Sequence, residues 1–252
     1  MTTKVTNEIK HVSDLDQQTA ASLLQFMLSY ADTKHFLGRR ISEWVTAAPA
    51  MEATVAAANI TQEELGHARS LFAMIRDIPD APSELNTDTD LSRKEFYNPT
   101  YLNAPWSSWI ELIAAFFLLD STLTTVISAA EESSLLPLRQ RVAKILQEEH
   151  FHSVYYRGWL GRIASASLGG RTKLAEALER VWPVAAAWLG PDDDSSLQPL
   201  FQAGILQSHM STIKDKWQQQ TNAFLNSHSL KSPEQAIDWS KWNVTRREIA
   251  DE

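Results

Sequence analysis

The 252-residue chain contains no cysteine. Disulfides, thiolate metal sites and cysteine nucleophiles are thereby excluded, and any metal must be held by nitrogen and oxygen donors, which suits iron, manganese or zinc. Basic charge is also short: 23 Lys and Arg against 31 Asp and Glu give a formal net charge of -8 and a pI near 5.4. A nucleic-acid surface needs a clustered basic face, so no nucleic-acid partner is expected. Eight glycines are few for this length, as helical sequence with few tight turns requires. Long hydrophobic runs are missing too. The most apolar stretch, Leu112 to Leu119, is too short to span a bilayer and is followed by Asp120. The opening "MTTKVTNEIKHVSDLDQQ" lacks an apolar h-region. A soluble cytoplasmic protein with no membrane partner is the resulting expectation.

What is present is a 44% apolar content, enough to bury a sizeable core, arranged with helical periodicity. "SDLDQQTAASLLQFMLSYADTKHFLGRRISEWV" offers Ser13 or Asp14 as an N-cap, then Leu23, Leu24, Met27, Leu28 and Ala31 at helical spacing. Pro49 opens a second helix, "PAMEATVAAANITQEELGHARSLFAMIRDI", which ends before Pro79. A polar, proline-punctuated connection runs from Pro79 to Trp106; at that length it is expected to be functional or to carry short elements of its own. "SSWIELIAAFFLLDSTLTTVISAAEES" and "LPLRQRVAKILQEEHFHSVYYRGWLGRIASA" predict two more long helices. "LGG" at Leu168 to Gly170 breaks the pattern, a fifth helix runs to about Trp188, "GPDDDSS" makes a solvated turn, and a sixth follows Pro199 through "LFQAGILQSHMSTIKDKWQQQTNAFL". The tail from Ser227 reads as irregular, with Trp239 and Trp242 docking it. The fold expectation is one all-α domain over 1–252, a four-helix bundle over about 14–166 with additional C-terminal helices over about 171–252.

Two hexamers repeat an order: "QEELGH" from Gln62 and "QEEHFH" from Gln147. Residues three apart share a helix face, so Glu64 with His67, and Glu149 with His152, each aim a carboxylate and an imidazole at one point. The neighbours Leu65, Ala68, Leu146 and Phe151 suggest a face turned partly inward. A Glu-x-x-His from each of two helices plus a carboxylate from each of the other two is the ligand set of di-iron bundles. The third helix supplies Asp120 after eight consecutive apolar residues. Buried unpaired, it would cost several kcal/mol, on the order of known penalties, unless something compensates it. A metal ion is the simplest compensation; a buried lysine is the other. On the first helix the buried-face candidate is Lys34, and Asp32, His35 and Glu43 are set too far around or along the helix to replace it. A protonated ammonium cannot bind iron and would act as a built-in cation.

These hexamers, with "SEWVTAAP", "FYNPTYLNAPWSSW", "VWPVAAAWLGPDDDS" and "IDWSKWNVTRR" in the same order, resemble the ferritin-like phenylacetic acid catabolic family, in particular its catalytic ring-1,2-phenylacetyl-CoA epoxidase subunits, over about 20–250. The resemblance implies a ferritin-like bundle and places Glu64, His67, Asp120, Glu149 and His152 on the iron ligands, with Lys34 where the catalytic subunits carry glutamate. Ile60 stands where those subunits tend to hold a lysine. It implies two irons as cofactor, a partner reductase, a scaffold subunit, an oligomeric complex, and an aromatic acyl-CoA substrate epoxidised with O₂. Lys34, Glu64, Asp120 and Glu149 are the expected catalytic residues. Phe116, Phe117 and Trp109 are candidates to hold substrate carbons, and Arg39, Arg40 and Lys94 to meet a CoA phosphate. Lys34 leaves two functions open: an oxygenase with an altered centre of one or two metals, or a metal-free scaffold in which its ammonium pairs with Glu64 and Asp120. Keeping five ligands without chemical use would leave several costly buried charges, which favours the oxygenase.

Overall fold

A computed structural model describes residues 8–83, 85, 93–234 and 236–250. Part of the Pro79 to Trp106 connection therefore lies outside the described residues. α1 spans Gln17–Ser42, α2 Met51–Ile75, α3 Trp109–Ala115, α4 Ser121–Ile127, α5 Leu136–Ala166, α6 Leu168–Leu189, α7 Gln198–Gln202 and α8 Met210–Ser227. A π-helical turn, Phe116–Asp120, joins α3 to α4 into one continuous rod. Four long members thus form the bundle: α1, α2, the α3–α4 rod and α5. A two-residue hairpin, β1 Trp242–Asn243 with β2 Glu248–Ile249, closes the tail.

Local chemistry explains where these elements start. The α1 N-cap is Asp16 rather than Ser13 or Asp14, because its carboxylate accepts both the backbone N–H and the hydroxyl of Thr19, at 3.0 and 2.6 Å. Ser108 caps α3 and Ser167 caps α6 in the same way. The expected sixth helix is broken. Gly204, at a φ of 67°, ends α7, and the next helix begins only at Met210.

One contiguous apolar cluster runs from Val12 to Leu230 and fills the space between the helices. The stretch Trp109–Ala130 is apolar enough by composition to cross a membrane, yet 78% of its most apolar window is buried among the other helices, the place of a core helix. α1 and α2 approach closely at Gly38, where a Cβ would lie 3.0 Å from Leu65 and 3.1 Å from Glu64. The tail is anchored by Arg247, buried, whose guanidinium donates to the carbonyls of Trp188 and Leu189 at the end of α6 and pairs with Asp194 at 3.2 Å. Trp242 donates its indole N–H to Ala187, which docks the tail on the bundle. The "PDDD" turn is therefore only partly solvated: Asp192 is open to solvent, whereas Asp194 is buried.

Candidate metal centre

The four bundle members bring Lys34, Glu64, His67, Asp120, Glu149 and His152 to one buried point; each is at most 2% exposed. Helical i,i+3 spacing aligns each Glu with its His, and the wide turn that ends on Asp120 gives the rod a π-helical residue at that height. The Lys34 ammonium lies 2.9 Å from Glu64 Oε1, 2.6 Å from Asp120 Oδ1 and 2.5 Å from Glu149 Oε1. Its three N–H donors are each matched to one carboxylate. Lys34 thus pairs with Glu149 as well as with the two acids expected from sequence.

The two histidines turn Nδ1 inward and Nε2 outward. His152 Nδ1 sits 3.1 Å from Glu64 Oε1 and 3.6 Å from Glu149 Oε2, and His67 Nδ1 lies 3.4 Å from Glu149 Oε1. Outside, His67 Nε2 meets Glu148 and His152 Nε2 meets Glu63, both at 2.7 Å, so each hexamer supplies the acceptor for the other's histidine. Such an outer carboxylate fixes the tautomer and orientation of a ligating imidazole. Thr124 donates to Glu149 Oε2 at 2.9 Å. None of Glu63, Glu148 and Thr124 was expected from sequence. The repeated acid directly before each inner glutamate was the available signal.

Electrostatics without a metal follow from this packing. Burial alone would pull Lys34 down, but Asp120, Glu149 and Glu64 overrule it and hold its pKa well above the usual lysine value. Burial and the neighbouring Glu149 push Asp120 well above the carboxylate range. Glu149 is opposed by burial, yet Lys34 and the two imidazoles hold it well below that range. For His152 burial is again outweighed, here by the carboxylates of Glu149 and Glu64 beside its ring, and its pKa rises to about 11.

The donor set decides what can bind. Two irons do not fit, because the sixth position is held by an ammonium, which has no lone pair and whose protons are all spent. A single ion fits better. Among the described residues Glu64, Asp120, Glu149 and His152 can each offer one ligand atom with all four within 4.8 Å of one another. Glu64 Oε2, Asp120 Oδ2 and His152 Nδ1 are buried without a hydrogen-bond partner, as is His67 Nδ1. His67, expected as a fifth ligand, stays outside that four-residue group.

Other expected contacts are redistributed. Phe116 packs on the His152 ring at 5.9 Å, so it does border the cluster. Phe117 turns away to Tyr156 and Phe224. Trp109 packs edge-on between Trp44 and Trp159, about 16 Å along the rod from Asp120 at helical rise. Arg40 is buried against Glu43 at 2.8 Å, whereas Arg39 and Lys94 are exposed. Phe151 is 65% exposed rather than inward, because it follows His150 on the outer side of α5. Asp32, a near neighbour of Lys34 in the chain, is consumed by a two-pronged pair with Arg93 at 2.6 and 2.7 Å. A cleft of about 580 Å³ between α2 and α5 reaches the rim of the cluster at Gln62, Glu63, His67, Lys144 and Glu148.

Comparison with known proteins agrees with this architecture. The chain is 24% identical over 214 residues to the C subunit of 1,2-phenylacetyl-CoA epoxidase from Escherichia coli (strain K12), covering 84% of this chain and 85% of that relative. It is 25% identical over 153 residues to the A subunit of the same epoxidase, covering 61% of this chain and 49% of that relative. The family profile described as "Phenylacetic acid catabolic protein" matches residues 1–246, and the chain belongs to that family.

Proposed function

We propose that this chain is the oxygenase-type member of a multi-subunit, phenylacetyl-CoA epoxidase-like assembly, acting with O₂ on an aromatic acyl-CoA and drawing electrons from a partner reductase. The observation that carries the reading is the convergence of unpartnered buried donors, Glu64 Oε2, Asp120 Oδ2 and His152 Nδ1, with the imidazole fixed from outside by Glu63. Left without an ion, each such group carries a desolvation cost of about 1–3 kcal/mol, so a bundle with no use for metal gains nothing by keeping them. Bound iron would supply activation of O₂. The chain's own part is to hold the ligands, to exclude water with Phe116 and the surrounding apolar rod, and to keep a fixed cation at Lys34. Assembly with related subunits in the cytoplasm belongs to the same proposal.

The test is turnover with an electron-donating reductase, phenylacetyl-CoA and ¹⁸O₂. Mass spectrometry is expected to find one labelled oxygen in the acyl-CoA product. No label in the presence of bound metal would overturn the reading. A second reading has its own support: Lys34 already satisfies three carboxylates, and the chain spans far more of the epoxidase's C subunit than of its A subunit. On that reading it is a metal-free scaffold, and it would restore activity to a separate catalytic partner while binding no iron itself.

A further inference from the structure

We propose that the cluster is a mixed centre in which the Lys34 ammonium stands in for one ion and a single divalent cation binds Glu64, Asp120, Glu149 and His152. The inference rests on the oxygenase reading for its use, but its geometry stands alone. Each carboxylate gives one oxygen to Lys34: Glu64 Oε1, Asp120 Oδ1 and Glu149 Oε1. Each keeps a second oxygen. Those of Glu64 and Asp120 have no partner, and that of Glu149 faces the Thr124 hydroxyl, a donor that can turn away. With the unpartnered Nδ1 of His152 they make a donor set of three oxygens and one nitrogen, buried to 1% exposure or less.

Charge and distance both close. Three carboxylates are balanced by one ammonium and one divalent ion when His152 is neutral, and its Nε2–H then donates to Glu63. Donors on opposite sides of a metal with bonds of about 2.0–2.2 Å lie roughly 4.2 Å apart, and the four side chains already converge on that scale, one donor atom from each lying within 4.8 Å of the others. Carboxylates that bridge two cations hold them about 3.5–4 Å apart in two-metal sites. An ammonium and a divalent ion repel each other less than the two divalent ions such bridges tolerate. The donor chemistry selects borderline cations, Fe(II), Mn(II) or Zn(II), over Mg(II) and Ca(II), which favour all-oxygen shells. His67 lies outside the group of four converging donors, its Nδ1 3.4 Å from Glu149 Oε1, and is left without a metal.

The experiment is anaerobic loading of the whole chain with Fe(II), and separately with Mn(II), followed by desalting and elemental analysis. About one ion per chain is expected, with a raised melting temperature, and electron–nuclear double resonance on the Mn(II) form should show one coordinated imidazole nitrogen. Asp120→Asn should lose the ion, and Lys34→Glu should raise the count toward two. Two ions in the wild type would overturn the mixed centre while leaving the oxygenase reading intact. One ion without ¹⁸O incorporation would leave the centre standing and remove the oxygenase. No ion, a count unchanged in Asp120→Asn, or no nitrogen coupling in the wild type would overturn the inference outright.

Discussion

Replacing Lys34 by methionine keeps most of the side-chain volume and removes only the charge and the three hydrogen bonds of 2.5–2.9 Å. Breaking a buried ion pair from one side costs about 3–5 kcal/mol, because the remaining charge is left uncompensated. Asp120 is already driven toward its neutral form, and the His152 cation remains beside Glu64 and Glu149, so the low end of that range is expected. For a chain of this size each kcal/mol moves the melting temperature by about 2–4 °C, which puts the fall in the metal-free protein at roughly 6–12 °C for about 3 kcal/mol. Calorimetric melts of wild type and Lys34→Met, both stripped of metal at pH 7, measure it directly. The deficit should shrink with acid. Lys34 holds the folded-state pKa of Glu149 well below its usual value, so the wild type's advantage from that carboxylate is complete above the ordinary carboxylate pKa and is lost as pH falls from there toward the lowered folded-state value. A melting temperature within about 2 °C of wild type would refute the claim that the ammonium neutralises these acids.

The His152 pKa, raised to about 11 from an ordinary 6.5, contributes stability to the metal-free protein that is complete below pH 6.5 and lost on the way to 11. Urea unfolding between pH 7 and 9 should therefore show stability falling by up to about 1.4 kcal/mol per pH unit, and a flat profile would contradict the assignment. Glu63→Gln should weaken binding of the ion by about 10–100-fold, and more than Glu148→Gln does, because Glu63 orients His152 and Glu148 orients His67; titration calorimetry ranks the two. Gly38→Ala forces a Cβ to 3.0–3.1 Å from Leu65 and Glu64, and thermal melts should show a loss of about 1–3 kcal/mol as α1 and α2 separate. Arg247→Met removes the cation facing Asp194 Oδ2 and the donors to the Trp188 and Leu189 carbonyls, leaving Asp194 only its Ser196 bonds, so limited proteolysis should cut the tail beyond α8 faster, with about 3 kcal/mol lost.

Much of the centre was legible in the sequence because helical periodicity converts spacing into geometry. Leu23, Met27 and Ala31 are buried where the pattern puts them, and Glu64, Asp120, Glu149 and His152 converge as the repeated hexamers and the acid at the end of an apolar run imply. Lys34 was recognisable as an intruder, although its third partner, Glu149, depends on a rotamer that spacing does not specify. The π turn at Phe116–Asp120 was invisible, since one widened turn inside a uniformly apolar run leaves no change of period to detect. The partners Glu63 and Glu148 cross between helices far apart in the chain, and Arg247 reaches back to α6. Long-range pairing of that kind is set by packing, not by any local signal. The end of α7 did carry a local sign, Gly204, which a helix running through it would have to tolerate at a cost of about 1 kcal/mol.

The most direct measurement is a crystal structure of the chain soaked anaerobically with Mn(II), with anomalous differences collected at a wavelength where manganese scatters. The account predicts one peak per chain, bounded by Glu64, Asp120, Glu149 and His152, with the Lys34 ammonium still seated on the other carboxylate oxygens. Two peaks, or none with Lys34 in place, would contradict it.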